Sequence, residues 1–280
     1  MKSFDVFLNF DGDCRPALDF YAKVFGLDVP SQIMTYEQAT GNGAGKENTG
    51  RILYSQLPIF GSNIMFSDCP AGKPYVKGTN MELVLNTQDE GEMTDIFNAL
   101  AQGGKVLMPL AKTFFSDFFG SVTDRFGFTW VLDKATKKAF NVFLSFDGDC
   151  RTALEFYAKV FDLAVPDRIM TFDQDPEANG AKENADRIMY AELPVFGAKL
   201  MMSDCRAGTP FVKGTNLAIT LGTPDTAEIK SIFDALADKG KTAMPLGKTF
   251  FSECYGMLTD RFGITWQLST PPESNPVMPD

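Results

Sequence analysis

The sequence contains no histidine. Histidine is the commonest general base in enzymes, the commonest neutral metal ligand and the usual titrating group between pH 5 and 8. Its absence excludes Ser-His-Asp and Cys-His catalysis, and it excludes every zinc site that needs an imidazole.

The chain also lacks an excess of positive charge and a long apolar run. Its 280 residues carry 26 Lys and Arg against 36 Asp and Glu, a formal net charge of -10. Because nucleic-acid binders gain affinity by neutralising phosphates with Lys and Arg, this charge argues against nucleic acid as a partner. No apolar run reaches the roughly 18 residues of a membrane span, and Asp5 and Asn9 interrupt the N-terminus where a signal peptide would be apolar. We therefore predict a cytoplasmic protein without a membrane partner.

What the chain does contain is a long internal repeat. Residues 6–130 align without a gap on residues 142–266, and about 73 of the 125 aligned positions are identical. A unit of this length is a duplicated domain, because solenoid and propeller units recur every 20 to 50 residues or so. We expect one domain at residues 1–134 and a second at 138–270. The segment 271–280 holds four prolines and is predicted to be a disordered tail.

Four of the five cysteines follow the repeat. Cys14 and Cys69 recur as Cys150 and Cys205, whereas Cys254 has no cysteine counterpart. None of the spacings is that of a zinc site, so we predict free thiols in a reducing compartment. Cys14 and Cys150 begin predicted helices, where the helix dipole lowers a thiol pKa, but two aspartates flank each of them. We predict that both are small packed residues.

Within one repeat, strand and helix patterns follow the order βαβββ twice. The segment from Phe4 to Phe10 is rich in β-formers, and Asp13 after it can cap a helix with apolar residues at i, i+3 and i+4 spacing. The order recurs from Met81 onward. Several strands are apolar on both faces, which indicates helices on one side and a partner sheet or a ligand groove on the other. The residues Asp124 and Arg125 are predicted to form a turn.

These motifs resemble those of a known superfamily. The opening Phe-Asp-Gly-Asp-Cys, the central Met-x-Ser-Asp, and the closing Lys-Thr-Phe-Phe-Ser and Thr-Asp-Arg-Phe-Gly-x-Thr-Trp look like the PhnB-like branch of the glyoxalase/bleomycin resistance/dioxygenase (vicinal oxygen chelate) superfamily. The likeness covers both repeats almost end to end. It implies an α+β fold of two tandem glyoxalase-like domains, each with two βαβββ modules that form a curved mixed sheet around a groove. It does not imply one reaction, because this fold hosts isomerases, dioxygenases, thiol transferases and drug-binding proteins.

In metal-dependent members, side chains on four strands of the groove hold a divalent cation. The matching positions here fall on or near Val6, Val142, Tyr54, Tyr190, Val131 and Gln267. Valine cannot ligate a metal, and tyrosine rarely binds hard divalent cations. Glu82 is the one carboxylate near a ligand position, and its counterpart in the second repeat is Ala218. We therefore predict that the protein binds no metal and no cofactor.

The groove candidates are aromatic and methionine residues on the inner strands and on the loop before the last two strands of each repeat. They are Tyr54, Met65, Phe115, Phe119, Trp130, Tyr190, Met201, Phe251, Tyr255 and Trp266. For each of them the alternative is ordinary packing, since buried aromatic and methionine residues belong to a core more often than to a ligand site. No catalytic residue is assigned.

Three functions are compatible with these features. The first is metal-free binding of a small, partly apolar molecule in the grooves. The second is a metal-dependent lyase or isomerase of the glyoxalase or dioxygenase type that uses oxygen ligands, and the third is a non-catalytic structural or interaction protein. The missing metal ligands and the aromatic linings favour the first, and so a binding protein over an enzyme. Single-repeat relatives pair as homodimers, so the resemblance also implies that the two repeats form an internal pseudo-dimer.

Overall fold

The computed structural model describes residues 1–40, 45–174, 182–249 and 251–270, so the predicted tail at 271–280 lies outside the described residues. Two compact units are present. One comprises residues 6–143 with 214–217, and the other comprises residues 1–5, 144–213 and 218–280. The units follow the two repeats but exchange short segments, so the predicted limits 1–134 and 138–270 stay a prediction. No helix of the described ranges is long and apolar enough to cross a membrane.

The first repeat contains two βαβββ modules, as the periodicity predicts. The first module consists of β1 (Ser3–Phe10), α1 (Cys14–Val24), β2 (Met34–Thr35), the short α2 (Tyr36–Thr40), β3 (Ile52–Ile59) and β4 (Ser62–Asp68). The second module consists of β5 (Met81–Thr87), α3 (Glu90–Leu100), β6 (Lys105–Ala111), β7 (Phe119–Thr123) and β8 (Thr129–Lys134).

The second repeat has the same order of strands and long helices, and a 3-10 helix (Phe172–Gln174) stands in place of the short α2. Its first module consists of β9 (Ala139–Phe146), α4 (Cys150–Val160), β10 (Met170–Thr171), β11 (Ile188–Val195) and β12 (Ala198–Asp204). Its second module consists of β13 (Leu217–Gly222), α5 (Thr226–Ala237), β14 (Lys241–Gly247), β15 (Tyr255–Thr259) and β16 (Thr265–Ser269).

The strands of the described ranges form two eight-stranded mixed sheets. Their orders are β14-β15-β16-β13-β1-β4-β3-β2 and β10-β11-β12-β9-β5-β8-β7-β6. The predicted α+β class and the pairing of modules into mixed sheets are thereby confirmed. In one detail the strand order corrects the expectation, because the two modules of one repeat lie in different sheets. Apolar alternation marks which face of a strand is buried, but it does not say which strand edge becomes its neighbour.

A shared core of helices and rings holds the unit of residues 6–143 together. Tyr21 of α1 is fully buried. Its ring centroid lies 5.6 Å from that of Phe66 on β4 and 5.6 Å from that of Trp130 on β8. Helix α1 therefore contacts strands of both modules, and burial of such large rings supplies much of the apolar stabilisation.

The start of α1 is held by a carboxylate from β4. Asp68 Oδ1 accepts hydrogen bonds from the backbone amides of Gly12 (2.8 Å) and Cys14 (3.1 Å), and Oδ2 accepts from that of Ile52 (2.9 Å). Asp13 is the N-cap residue of α1, as predicted, but its side chain makes no capping hydrogen bond. The buried carboxylate satisfies amides that the helix leaves free and lies at the positive end of its dipole.

Candidate functional site

Within the described ranges, the side chains that contact helices lie on one of the two faces of each sheet. On β1 and β4, Phe10 and Phe66 stack against each other and Phe66 contacts α1. Successive side chains of a strand point to opposite faces. Phe7 and Met65, which are partners in the β1–β4 register, therefore point away from the helices. We call this side of each sheet the helix-free face.

Four side chains form a patch on the helix-free face of β1, β3 and β4. The Tyr54 ring lies 6.5 Å from that of Phe7, and the Tyr54 hydroxyl donates to Gln56 Oε1 at 2.8 Å. Met65 is the register partner of both Phe7 and Gln56. The structure thus brings the predicted Tyr54 and Met65 together. The sequence interpretation missed Phe7 and Gln56, although Gln56 lies two positions from Tyr54 on the same strand face.

The corresponding patch of the second repeat carries charge. The Tyr190 hydroxyl donates to a carboxylate oxygen of Glu192, which also accepts a hydrogen bond from Lys199 Nζ at 2.9 Å. Met201 is the register partner of Glu192 and is almost fully buried. Glu192 occupies the position of Gln56, so the patches of the two repeats are chemically different.

The aromatic loop of the first repeat reaches the helix-free face at Phe119. A side chain at Gly120 would lie 3.0 Å from the Phe97 ring of α3, so the neighbouring Phe119 points the other way. The Phe115 ring lies 5.0 Å from that of Phe119 in an edge-to-face contact, and 54% of Phe115 remains exposed. Both predicted residues therefore lie together at the edge of this face.

In the second repeat the same loop meets a polar group. The Phe251 and Tyr255 ring centroids are 5.0 Å apart. The Tyr255 hydroxyl donates to Gln267 Oε1 at 3.0 Å, and burial raises the pKa of Tyr255 to about 12. The phenol is therefore a hydrogen-bond donor and not a base at neutral pH.

Trp130 and Trp266 do not lie on the helix-free face, which corrects their assignment to the grooves. Both are fully buried. Trp130 Nε1 donates to Asp124 Oδ2 at 2.7 Å, and the same oxygen accepts from the Tyr21 hydroxyl of α1 at 2.6 Å. Trp266 makes the same bond to Asp260 at 2.8 Å. Each tryptophan is one residue away from a groove-facing position, and one residue along a strand reverses the face.

Asp124 has a larger part than the predicted turn. Its Oδ1 accepts from the backbone amides of Phe126 (2.9 Å) and Phe128 (3.1 Å), in addition to the two side-chain bonds on Oδ2. The turn itself is confirmed, with Gly127 at φ 91°. Burial raises the pKa of Asp124, and the four donors counteract this effect. The carboxylate thus joins the last strands of the repeat to α1.

The thiols are not candidates for nucleophilic catalysis. All five cysteines are free, as predicted. Cys14 and Cys150 are completely buried, and burial together with the nearby carboxylates Asp68 and Asp204 raises the pKa of each thiol. Because the thiolate is the reactive form, a raised pKa makes these cysteines inert.

The donor set does not fit the divalent metal of the superfamily. Within the described ranges, no three His, Cys, Asp or Glu side chains are placed to hold a metal ion. Val6 pairs in register with Ile64 and points to the helix side. Glu82 points to the helix-free face because the next residue, Leu83, is the register partner of Trp130. Burial raises the pKa of Glu82 to about 7, so this carboxyl is partly neutral at physiological pH.

A separate cleft of about 530 Å³ lies in the unit of residues 6–143, between the end of α1 and the start of α3. None of the predicted groove residues lines it. Lys138 Nζ lies 4.3 Å from the centroid of the Phe60 ring and pairs with Glu92. Lys138 therefore pairs with one of the three carboxylates that line this cleft, which are those of Asp89, Glu92 and Asp95.

Paired βαβββ modules, two mixed sheets and a helix-free face on each define a protein of the glyoxalase-like class. The model of the family described as 3-demethylubiquinone-9 3-methyltransferase matches twice, at residues 2–132 and 138–269. The chain belongs to this family, which is the PhnB-like branch that its motifs resemble.

The chain is also similar to three proteins of known sequence or structure. Protein YjdN of Escherichia coli is 32% identical over 136 residues, which are 45% of this chain and 91% of YjdN. A PhnB protein from Bacillus cereus is 31% identical, with 47% of this chain and 98% of that protein covered and a TM-score of 0.40. Glyoxalase I from Zea mays has a TM-score of 0.61 over 96% of this chain and 93% of its own, at 14% identity. This last likeness shows the fold alone.

Proposed function

We propose that the helix-free faces bind a small, partly apolar molecule without the help of a metal ion. The observation that carries the proposal is the patch of Phe7, Tyr54, Met65 and Gln56. Two rings and a thioether supply an apolar wall, and the Tyr54 to Gln56 hydrogen bond of 2.8 Å holds one amide in place. Small-molecule sites have this composition, which is mostly apolar with a few positioned polar groups.

The chemistry of the other side chains supports binding over catalysis. A metal-dependent lyase or isomerase needs several convergent ligands, and within the described ranges no three His, Cys, Asp or Glu side chains are placed to supply them. A metal-free reaction would need a base or a nucleophile that is ionised near neutral pH. Burial raises the pKa values of Cys14, Cys150 and Tyr255, so these three groups do not meet that need. Glu82, with a pKa of about 7, meets it in part.

A ligand screen tests the proposal. Neutral aromatic compounds should raise the melting temperature of the full chain, and calorimetry should then give a dissociation constant for each hit. Tyr54→Phe removes one neutral hydrogen bond and should weaken binding by about 0.5 to 1.5 kcal/mol. Tyr36→Phe is the matched control, because its hydroxyl donates to the backbone oxygen of Asp68 and not to the patch.

Two results would contradict this proposal. One is a screen in which no neutral compound raises the melting temperature. The other is an unchanged affinity in the double variant Tyr54→Phe, Tyr190→Phe, which would make both tyrosines structural residues of the sheet surface.

A further inference from the structure

One buried hydroxyl of the second repeat has no hydrogen-bond partner among the described residues. Thr220 on β13 is 7% exposed, and its Oγ1 makes no hydrogen bond to any described residue. A buried hydroxyl without a partner is costly because it gives up its bonds to water. The first repeat avoids this cost with Val84 at the same position, a side chain of nearly the same shape. The threonine is therefore not explained by packing.

Thr220 lies beside the polar pair of the second repeat. It is the register partner of Gln267 on β16, whose Oε1 accepts the hydrogen bond from Tyr255. Register partners point to the same side of a sheet. The residues next to them, Ile219 and Trp266, are also partners, and the Trp266 ring contacts α4. Thr220 and Gln267 consequently share the helix-free face.

The two repeats differ at each of these three positions in the same sense. The first repeat has an apolar residue and the second repeat has a residue that can form hydrogen bonds. The pairs are Val84 and Thr220, Val131 and Gln267, and Phe119 and Tyr255. Three such changes on one patch of one sheet indicate a local polar site. Phe251 beside Tyr255, and Met257 opposite Gln267, give this site an apolar wall.

We propose that Thr220, Gln267 and Tyr255 form a subsite for the polar end of a neutral ligand. This inference rests on the proposed function and gives it a ligand class: a carbonyl, amide or hydroxyl group on an aromatic or aliphatic body. The Thr220 hydroxyl can donate to a carbonyl oxygen or accept from an N–H group. The three side chains carry no charge, and a buried ionic group without a counter-charge would be strongly disfavoured. The first repeat, with Val84, Val131 and Phe119, lacks this subsite.

The subsite can be tested on the full chain with two probes, benzamide and toluene. Methyl NMR spectra of Thr220, Met257 and Met65 report binding at the two patches separately. Benzamide should shift the Thr220 and Met257 signals. Thr220→Val, which copies the first repeat, should weaken benzamide by about 3- to 10-fold, the value of one hydrogen bond, and leave toluene unchanged. Without a probe, this variant should keep or raise the melting temperature.

The failures of the subsite and of the proposed function are distinguishable. If the probes shift Met65 but not Thr220 or Met257, the subsite is refuted and binding at the patch of Tyr54 stands. If neither probe shifts any of the three signals at millimolar concentration, both proposals are refuted. If Thr220→Val lowers the melting temperature and leaves benzamide affinity unchanged, an ordered water is the partner of the hydroxyl and there is no subsite.

Discussion

Glu82 should make the stability of this protein depend on pH, and Glu82→Gln should remove that dependence. Burial raises the pKa of Glu82 from its ordinary value of 4.5 to about 7 in the folded chain. Between these values the folded state binds more protons than the unfolded state, so the free energy of unfolding falls as the pH rises through this window. Below the window both states are protonated, and above it both are ionised.

The size of the effect follows from the shift. One pKa unit corresponds to about 1.4 kcal/mol, so a rise from 4.5 to about 7 is worth at most roughly 3 kcal/mol. The true value should be smaller, because Glu82 remains partly exposed and solvent screens its charge. The second repeat has Ala218 at this position, so it adds no corresponding pH-dependent contribution to the free energy of unfolding.

Urea unfolding at about pH 5 and about pH 8 measures this term. The natural chain should lose more stability between the two pH values than Glu82→Gln does, by roughly 1 to 3 kcal/mol. Glu155→Gln on the exposed side of α4 is the control for the change in net charge. Equal losses in the natural chain and in Glu82→Gln would refute the reasoning, since Glu82 would then not be held neutral by burial.

Two further substitutions test the packing of residues 6–143 with 214–217. Asp124→Ala leaves the Tyr21 hydroxyl and Trp130 Nε1 without their acceptor. In a urea titration it should therefore lower the free energy of unfolding by at least about 3 kcal/mol. A loss of less than about 1 kcal/mol would contradict the structural role of this carboxylate. Gly78→Ala would put a Cβ atom 2.4 Å from Gly214 Cα, so it should clearly lower the melting temperature. An unchanged melting temperature would show that the backbone segments at Gly78 and Gly214 can move apart without a loss of stability.

Local signals predicted the elements of this fold well. The order βαβββ recurs four times. It was predictable because apolar periodicity, and the glycines at which elements end, are signals that lie within a few neighbouring residues. The turn after Asp124 was likewise predictable, since the glycine at 127 supplies the positive φ that it needs. The PhnB-like resemblance followed from short motifs, and the family match at both repeats confirms it.

The candidate site was predictable only in part. Tyr54, Met65 and Phe119 lie on helix-free faces and Phe115 lies at the edge of one, but Trp130 does not. Its sequence neighbourhood resembles that of the other candidates, and only the register of β8 against β5 decides which side it faces. The polar group of Thr220, Gln267 and Tyr255 was not recognised as a unit, because the three residues come from three different strands.

The amino-acid sequence by itself determined the duplication, the βαβββ modules, the free thiols and the absence of imidazole chemistry, all of which depend on residue type and local spacing. Tertiary structure alone decided that the two modules of a repeat lie in different sheets, that Asp68 and not Asp13 holds the start of α1, and that Asp124 binds a tyrosine 103 positions away. These are contacts between distant segments. Their free energy depends on which strand edges and faces meet after collapse, and no window of neighbouring residues contains that information.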